Sequence, residues 1–97
     1  MVKHIVTFKF SGTEEEKLRV AQEFKAALED MPGKISVLQA IEVGINQNPN
    51  ENWNLVLTAV VPTMEDVAVY ASHPIHVAAT SIIAGHKEAR ACVDYEF

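Results

Sequence analysis

The sequence predicts an α+β fold in which a four-stranded antiparallel sheet carries helices on one face. Its elements follow the order strand, helix, strand, strand, helix, strand, which is the ferredoxin-like split βαβ arrangement. Two of the four predicted strands are apolar on both faces. The chain has 97 residues, enough for one hydrophobic core, so we assign residues 1–97 to a single domain.

The first strand and first helix are predicted from their periodicity. At 2–10, apolar side chains alternate with polar ones, and His4 lies on the apolar face of that strand. Thr13 with Glu16 three residues later forms a capping-box pattern that begins a helix. At 100° per residue, the apolar helix positions fall on one stripe, which indicates a surface helix packed on a sheet. The stripe consists of Val20, Ala21, Phe24, Ala27, Leu28 and Met31.

The second and third strands are predicted at 35–43 and 53–61, after Pro32-Gly33 ends the helix. Between them, residues 44–52 contain four Asn and one Pro and are typical of a loop. Both strands carry apolar residues on the face that helices cannot cover, namely Leu38, Ala40, Val56 and Val60. Because 97 residues leave nothing else to cover this face, a second copy of the sheet is the economical cover, and we expect a homodimer.

The last third of the chain is predicted as a broken helix and a final strand. Thr63 begins the helix, and Pro74 interrupts it, with Ser72 or His73 as the cap of the following segment. Gly85-His86 ends the second segment, and residues 89–97 alternate as a strand.

Composition excludes several classes of partner. The formal net charge is −5 and the basic residues are scattered, which does not favour a nucleic-acid backbone. No apolar run reaches membrane-spanning length, and the N-terminal residues show no signal-peptide pattern, so we expect no membrane association. Cys92 is the single cysteine and has no disulfide partner, which is typical of a reducing, cytoplasmic location.

The candidate site is the segment Tyr70-Ala71-Ser72-His73-Pro74-Ile75-His76 together with His4. A gap between sheet and helices would be lined by a mostly apolar set with few polar groups, as in small-molecule pockets: His4, Val6, Phe8, Phe24, Leu57, Tyr70 and His76. The functional hypothesis makes His76 a base, hydrogen-bonded to the Tyr70 phenol, that removes a proton next to a carbonyl. The structural alternative makes His76 a buried residue, satisfied by Tyr70 or by backbone, that holds the turn between the helices. The same alternative remains open for His4, as a satisfied core histidine.

His73 is included among the predicted ligand-binding residues, although its position before Pro74 also suits a helix cap. The His73-x-x-His76 spacing could suggest a metal, but no Cys or carboxylate pattern completes a zinc ligand set, so we predict no metal. The chain has no glycine-rich phosphate loop, and we predict no organic cofactor.

Four segments resemble the stress-responsive A/B barrel (Dabb) family: Met1-Val2-Lys3-His4-Ile5-Val6, Pro32-Gly33, the Tyr70–His76 segment and Val93-Asp94-Tyr95. The resemblance implies a dimeric α+β barrel, with two sheets facing each other across the dimer. The family includes a polyketide cyclase in which the counterparts of His76 and Tyr70 act as base and orienting hydroxyl in an aldol cyclisation. The pocket departs from that enzyme at Val20 and Ala21, where it has aromatic residues, and at Lys87, where it has a tryptophan.

These observations predict a homodimer of unassigned biochemical role that binds a small apolar or aromatic molecule between sheet and helices. The alternative is a cofactor-independent cyclase, isomerase or monooxygenase that uses His76 as base and Tyr70 as orienting group. A third possibility is a purely structural stress protein. A cavity of roughly 300 Å³ or more beside these two residues would favour the first two, and a filled interior the third.

Overall fold

The computed structural model describes all 97 residues and confirms the predicted fold class. Four antiparallel strands form one sheet in the order β2-β3-β1-β4, and three α-helices lie against it. The elements are β1 (Val2–Phe10), α1 (Glu14–Glu29), β2 (Ala40–Ile45), β3 (Leu55–Val61), α2 (Met64–Ser72), α3 (Pro74–Thr80) and β4 (Lys87–Glu96), with a 3-10 turn at Ser81–Ile83 before β4. None of the helices has both the length and the apolar composition needed to cross a bilayer.

The central strand β1 organises the sheet because it pairs with both β3 and β4. Its even-numbered residues are buried and its odd-numbered residues are partly exposed, as the alternation predicts. The register places His4 opposite Ala59 on one side and opposite Asp94 on the other. A residue near the N-terminus and one near the C-terminus are therefore neighbours.

Helix α1 forms as the sequence indicates. The Thr13 side chain accepts a hydrogen bond from the Glu16 backbone N–H, which satisfies one of the free donors at the helix start. The buried stripe Val20, Ala21, Phe24 and Leu28 packs on the inner face of the sheet. The stripe continues past the helix end to Met31, which is also fully buried.

The second strand is shorter than predicted, and Leu38 does not lie on the outer face. Residues 31–39 form consecutive turns, in which the Ile35 N–H bonds the Met31 carbonyl and the Leu38 N–H bonds the Ile35 carbonyl. Ile35 and Leu38, three residues apart, both enter the core because turns repeat with a period near three and not two. Gly33, with φ of +86°, begins this segment. Pairing starts only at Ala40.

The other boundaries shift by one or two residues. Gly44 and Ile45 belong to β2 rather than to the loop, because they pair with Val56 and Leu55 of β3. The third strand begins at Leu55, and the last strand spans Lys87–Glu96 instead of 89–97.

The break in the second helical region lies at Pro74, as predicted. Thr63 and Asp66 form a reciprocal capping box at the start of α2. His73 ends α2 and begins α3: its backbone is extended, and its Nδ1 accepts a hydrogen bond of 3.1 Å from the Ile75 N–H. Because proline cannot donate a backbone hydrogen bond, the chain changes direction here and α3 runs at a new angle.

The outer face of the sheet carries no helix. Ala40, Val56 and Val60 lie on it as predicted, and register places Ile5, Val93 and Tyr95 on the same side. Val93 is 63% exposed, which is unusual for a valine in a strand.

Candidate functional site

A cavity of about 400 Å³ lies between the inner face of the sheet and the segment formed by α3 and the 3-10 turn. Its floor is apolar and consists of Val6, Phe8, Phe24, Leu57 and Ile83. Its polar lining consists of His4, His76, Thr80, Ser81, Lys87 and Arg90. Because lining residues such as Val77 and Ala84 are themselves exposed, the cavity is open to solvent. Its volume falls within the range of small-molecule sites, about 300–1,000 Å³.

His76 is held by a backbone hydrogen bond that crosses the Pro74 break. Its Nδ1 donates to the Ala71 carbonyl at 3.0 Å, which fixes the tautomer and leaves Nε2 without a proton. Nε2 has no partner within the protein and is not a buried unpaired atom, so it is accessible to solvent, and His76 lines the cavity. Burial lowers the pKa of His76, and the charges of His4 and Arg90 lower it further, against the opposing effect of the Ala71 hydrogen bond. The free nitrogen is therefore a proton acceptor at neutral pH.

His4 is held in a similar way by a side chain. Its Nδ1 lies 2.5 Å from a carboxylate oxygen of Asp94, which is the neighbour that the strand register supplies. His4 is only 5% exposed, and its Nε2 is the ring nitrogen left free on the cavity wall. A carboxylate behind an imidazole fixes the ring orientation, as it does in many acid–base sites.

Tyr70 lies behind the two imidazoles and not on the cavity surface. Its ring meets that of His76 edge to face at a centroid distance of 4.5 Å and that of His4 at 5.9 Å. The hydroxyl is fully buried and has no hydrogen-bond partner, so the predicted hydrogen bond between this phenol and His76 is absent. Burial raises the pKa of Tyr70 well above its usual range. A buried hydroxyl without a partner is costly, and such groups concentrate at functional positions.

The structure brings together most of the residues that the sequence singled out. His4, Val6, Phe8, Phe24, Leu57 and His76 line the cavity. Tyr70 contacts both histidine rings from behind. His73 is the exception, because its ring caps α3 and does not reach the cavity, although it is only three residues from His76.

Two further residues belong to the site and were not expected there from the sequence, namely Asp94 and Arg90, and Lys87 joins them at a position that the family resemblance already associates with the pocket. The sequence pattern that could have indicated these residues is in β4, where polar and apolar positions alternate. The first set is Arg90, Cys92 and Asp94, and the second is Ala91, Val93 and Tyr95. Pairing with β1 turns the polar set toward the helices and the apolar set outward. The alternation is visible in the sequence, but alternation alone does not distinguish the inner face of a strand from its outer face.

One group of side chains has metal-ligand chemistry, namely His4, Cys92 and Asp94, whose ligand atoms lie within 4.8 Å of one another. The His4–Asp94 distance of 2.5 Å is that of a hydrogen bond, whereas two atoms bound to one tetrahedral zinc lie about 3.3 Å apart. Burial, with the Asp94 carboxylate, also raises the pKa of the Cys92 thiol and disfavours the thiolate that a metal needs. The geometry is that of an imidazole–carboxylate pair with an adjacent thiol.

Two larger depressions lie elsewhere. One is bounded by the loop at 46–54 and the start of α1, and Phe10 is its only apolar lining residue. The other lies on the outer face of the sheet around Trp53 and Val56. Neither contains a histidine, so the cavity beside His4 and His76 is the one with groups suited to acid–base chemistry.

The fold and this site define a class of protein: a small ferredoxin-like α+β domain with one face of its sheet uncovered and a polar-lined cavity beneath its helices. The chain belongs to the Stress responsive A/B Barrel Domain (Dabb) family, whose model matches residues 2–97. No curated protein matches the chain in sequence.

Solved structures show the same fold. A dimeric protein of unknown function with a ferredoxin-like fold from Bacteroides fragilis is 55% identical, with a TM-score of 0.95 over 99% of this chain and 95% of the other. A protein from Arabidopsis thaliana is 24% identical, with a TM-score of 0.76 over 99% and 94%. A hydroxynitrile lyase from Passiflora edulis is 11% identical, with a TM-score of 0.74 over 97% and 90%. The last two resemblances concern the fold alone.

Proposed function

We propose that this protein binds a small apolar or aromatic molecule in the cavity between β1, β4 and α3. The observation that carries the proposal is the cavity itself: about 400 Å³, open to solvent, with an apolar floor and two imidazole nitrogens on its wall. A filled interior would have favoured a purely structural role. Sites of this kind bury the apolar body of a ligand and orient it with few polar groups.

The test is a ligand screen with a variant that closes the cavity. Val77→Trp places a large side chain at the rim, where Val77 is 53% exposed, so the fold should tolerate it. Val69→Trp is the matched control, because Val69 is 50% exposed on α2 and does not line the cavity. Small aromatic compounds should raise the melting temperature of the wild type and of Val69→Trp but not of Val77→Trp. Equal shifts in all three proteins would refute binding in this cavity.

We propose further that the protein is a homodimer that packs sheet against sheet. The exposed Val56, Val93 and Tyr95 on the outer face need cover, and the 55% identical protein from Bacteroides fragilis is dimeric. Covering both sheets should bury an interface of at least roughly 1,600 Å² in total.

Sedimentation equilibrium at micromolar concentration tests the dimer. Val93→Glu should shift the protein toward the monomer of 10.7 kDa, because it would bury an unpaired carboxylate at the interface. Val69→Glu, on the helical side, should leave the mass unchanged. A monomeric wild type would refute the dimer.

A second candidate function is a cofactor-independent acid–base enzyme, and the arrangement of the two imidazoles favours it. The Nδ1 of each ring is occupied, by Ala71 in one case and Asp94 in the other, so Nε2 is the free nitrogen of each ring, and both histidines line the same cavity. Pairs of oriented groups in a partly desolvated cavity are typical of proton-transfer sites.

The reaction class is proton abstraction next to a carbonyl. His76 Nε2 takes the proton from the carbon, an N–H bond forms as the C–H bond breaks, and the electron pair moves to the carbonyl oxygen as an enolate. In an isomerisation, the His76 imidazolium returns the proton to another atom of the enolate. In a cyclisation, the enolate carbon attacks a second carbonyl, a C–C bond forms as the carbonyl π bond breaks, and the imidazolium gives its proton to the resulting alkoxide. Tyr70 holds the two rings apart and orients them through ring contacts.

Hydrogen–deuterium exchange of a small 1,3-dicarbonyl compound in D₂O, followed by NMR, tests this candidate. The wild type should accelerate exchange above buffer, and His76→Gln should remove the acceleration. His73→Gln is the matched control, since His73 lies outside the cavity. Equal exchange rates for wild type and His76→Gln would eliminate His76 as the base and leave the binding proposal intact.

The cellular location and the independence of metal and cofactor remain predictions. The single free cysteine favours a cytoplasmic location. Independence of metal and cofactor would be checked by thermal melts with and without a chelator, which should coincide.

A further inference from the structure

The charged side chains that line the cavity are both basic, in a protein whose net charge is −5. Two of the eight basic residues, Lys87 and Arg90, line it, and no Asp or Glu does. The Asp94 carboxylate lies beside the wall, but it is hydrogen-bonded to His4. The cations of the cavity are therefore not neutralised from within it.

Most other basic side chains already have partners. Four lysines form ion pairs with carboxylates, namely Lys9, Lys17, Lys25 and Lys34. Lys3 lies over the Phe97 ring at 4.7 Å. Lys87 and Arg90 form no ion pair. The one other basic residue that has neither an ion pair nor a ring contact is Arg19, which is exposed on α1.

The strand register gives the cavity a direction. Arg90 pairs with Phe8 and Lys87 with Phe10, whereas Asp94 pairs with His4. Four residues of extended strand separate Arg90 from Asp94, a distance of about 13 Å. Along the β4 backbone the two cations therefore lie toward one end of the cavity and Asp94 toward the other, while the Arg90 side chain extends back toward Cys92, which neighbours the His4–Asp94 pair.

We propose that the ligand of this site is a small apolar or aromatic carboxylate, bound with its carboxylate between Lys87 and Arg90 and its apolar body on the cavity floor. This inference rests on the proposed binding function and adds the chemical class of the ligand. A guanidinium binds a carboxylate through two parallel hydrogen bonds, and an ammonium adds a point charge. Both cations are exposed to solvent, and the apolar floor beside Arg90 would receive the body of the ligand.

The position of Arg90 also relates the anion to the base. Its charge reaches His76, since it contributes to the lowered pKa of that imidazole. A carboxylate bound at Arg90 would therefore counteract the positive charge that acts on His76.

The test compares 3-phenylpropanoate with its neutral analogue 3-phenylpropanamide, by isothermal titration calorimetry at low ionic strength. The wild type should bind the carboxylate about tenfold or more tightly than the amide, the margin that hydrogen bonds to charged groups provide. Arg90→Gln and Lys87→Gln should each reduce that ratio without changing the amide affinity. Arg19→Gln is the control for overall charge and should keep the ratio. Added salt should reduce the preference in the wild type, because it screens the exposed cations.

The possible results distinguish the carboxylate assignment from the proposal that the cavity binds a ligand. Equal affinity for carboxylate and amide, or a preference that survives in Arg90→Gln and Lys87→Gln, would overturn the carboxylate assignment. In that case, amide binding that Val77→Trp removes would still support ligand binding in the cavity. If neither compound binds the wild type, both proposals fail.

Discussion

The two halves of the helical layer differ in how they cover the sheet. Helix α1 presents an unbroken stripe, in which Phe24 and Leu28 have no exposed surface, and it begins with a satisfied cap. The half formed by α2 and α3 is interrupted at Pro74, buries Tyr70 with an unpaired hydroxyl, and leaves the cavity beneath it. Helix α1 lies mainly over β2, whereas α2 lies over β3 and β4, and each half contacts β1 through one aromatic pair, Phe24 with Phe8 and Tyr70 with His4.

The two halves of the helical layer therefore contribute differently to one small core. Both halves are capped, but the α1 half is closely packed and supplies stability. The α2–α3 half departs from close packing where polar groups face a cavity, and such departures are expected at functional sites. Substitutions should therefore lower the free energy of unfolding strongly in the α1 half, and should change it little or raise it in the α2–α3 half. In all of the stability measurements below, protein concentration is held constant, because dimerisation contributes to apparent stability.

The largest effect is expected in the α1 half. Leu28→Ala should lower the free energy of unfolding by about 2–5 kcal/mol, because it leaves a cavity in a site with no exposed surface. Urea denaturation measures the loss. Leu18→Ala is the matched control, since Leu18 is 50% exposed on the same helix, and it should change stability by less than about 0.5 kcal/mol. Similar losses for both would show that the α1 stripe is not the stable half.

Tyr70→Phe should raise the free energy of unfolding by about 1–2 kcal/mol. The substitution removes a fully buried hydroxyl that has no partner while keeping the ring contacts with His4 and His76. Thermal and urea denaturation measure the gain. A destabilised Tyr70→Phe would mean that the hydroxyl is satisfied in solution, and would remove the main sign of strain in this half.

His76→Ala should cost little, about 1 kcal/mol or less. His76 makes one hydrogen bond to backbone and lines an open cavity, so its removal enlarges an existing space and breaks little packing. The measurement is urea denaturation beside Leu28→Ala. A loss as large as that of Leu28→Ala would instead support the structural alternative, in which His76 holds the turn at Pro74.

The smallest effect is a pH dependence. Because burial lowers the pKa of His76 in the folded protein, the unfolded chain takes up a proton more readily once the pH falls below about 6.5. Stability from the neutral ring is therefore fully present above that pH and is lost as the pH falls toward the folded pKa. Between pH 7.5 and 5.5, the wild type should lose more stability than His76→Gln. An NMR titration of His76 with a midpoint at or above 6.5 would contradict this.

Several features followed from the sequence because their causes are local. The alternation of β1 placed His4 on the inner face, the stripe of α1 identified its buried side, and Pro74 marked the break between α2 and α3. Apolar residues on both faces of β3 indicated the uncovered outer face of the sheet. Each of these depends on side-chain periodicity or on the missing N–H of proline, which neighbouring residues alone determine.

Other features depended on contacts between distant parts of the chain. The period of two, which predicted β1 correctly, placed Leu38 on the wrong face of the sheet. Hydrogen bonds within residues 31–39 favour turns there over strand pairing. Likewise, spacing could not show that His76 reaches the cavity while His73, three residues earlier, caps a helix and does not.

Tertiary structure alone decided the composition of the site. The partnership of His4 with Asp94 requires the register between the first and last strands, and the cations that line the cavity require β4 to turn its polar face inward. The gap of about 400 Å³ beneath α3 is the small difference between the volume that the fold encloses and the volume that its side chains fill. The sequence by itself determined the order of elements and the identity of the histidines, because these are local. Their meeting around a cavity is a property of long-range pairing and packing, which no local pattern encodes.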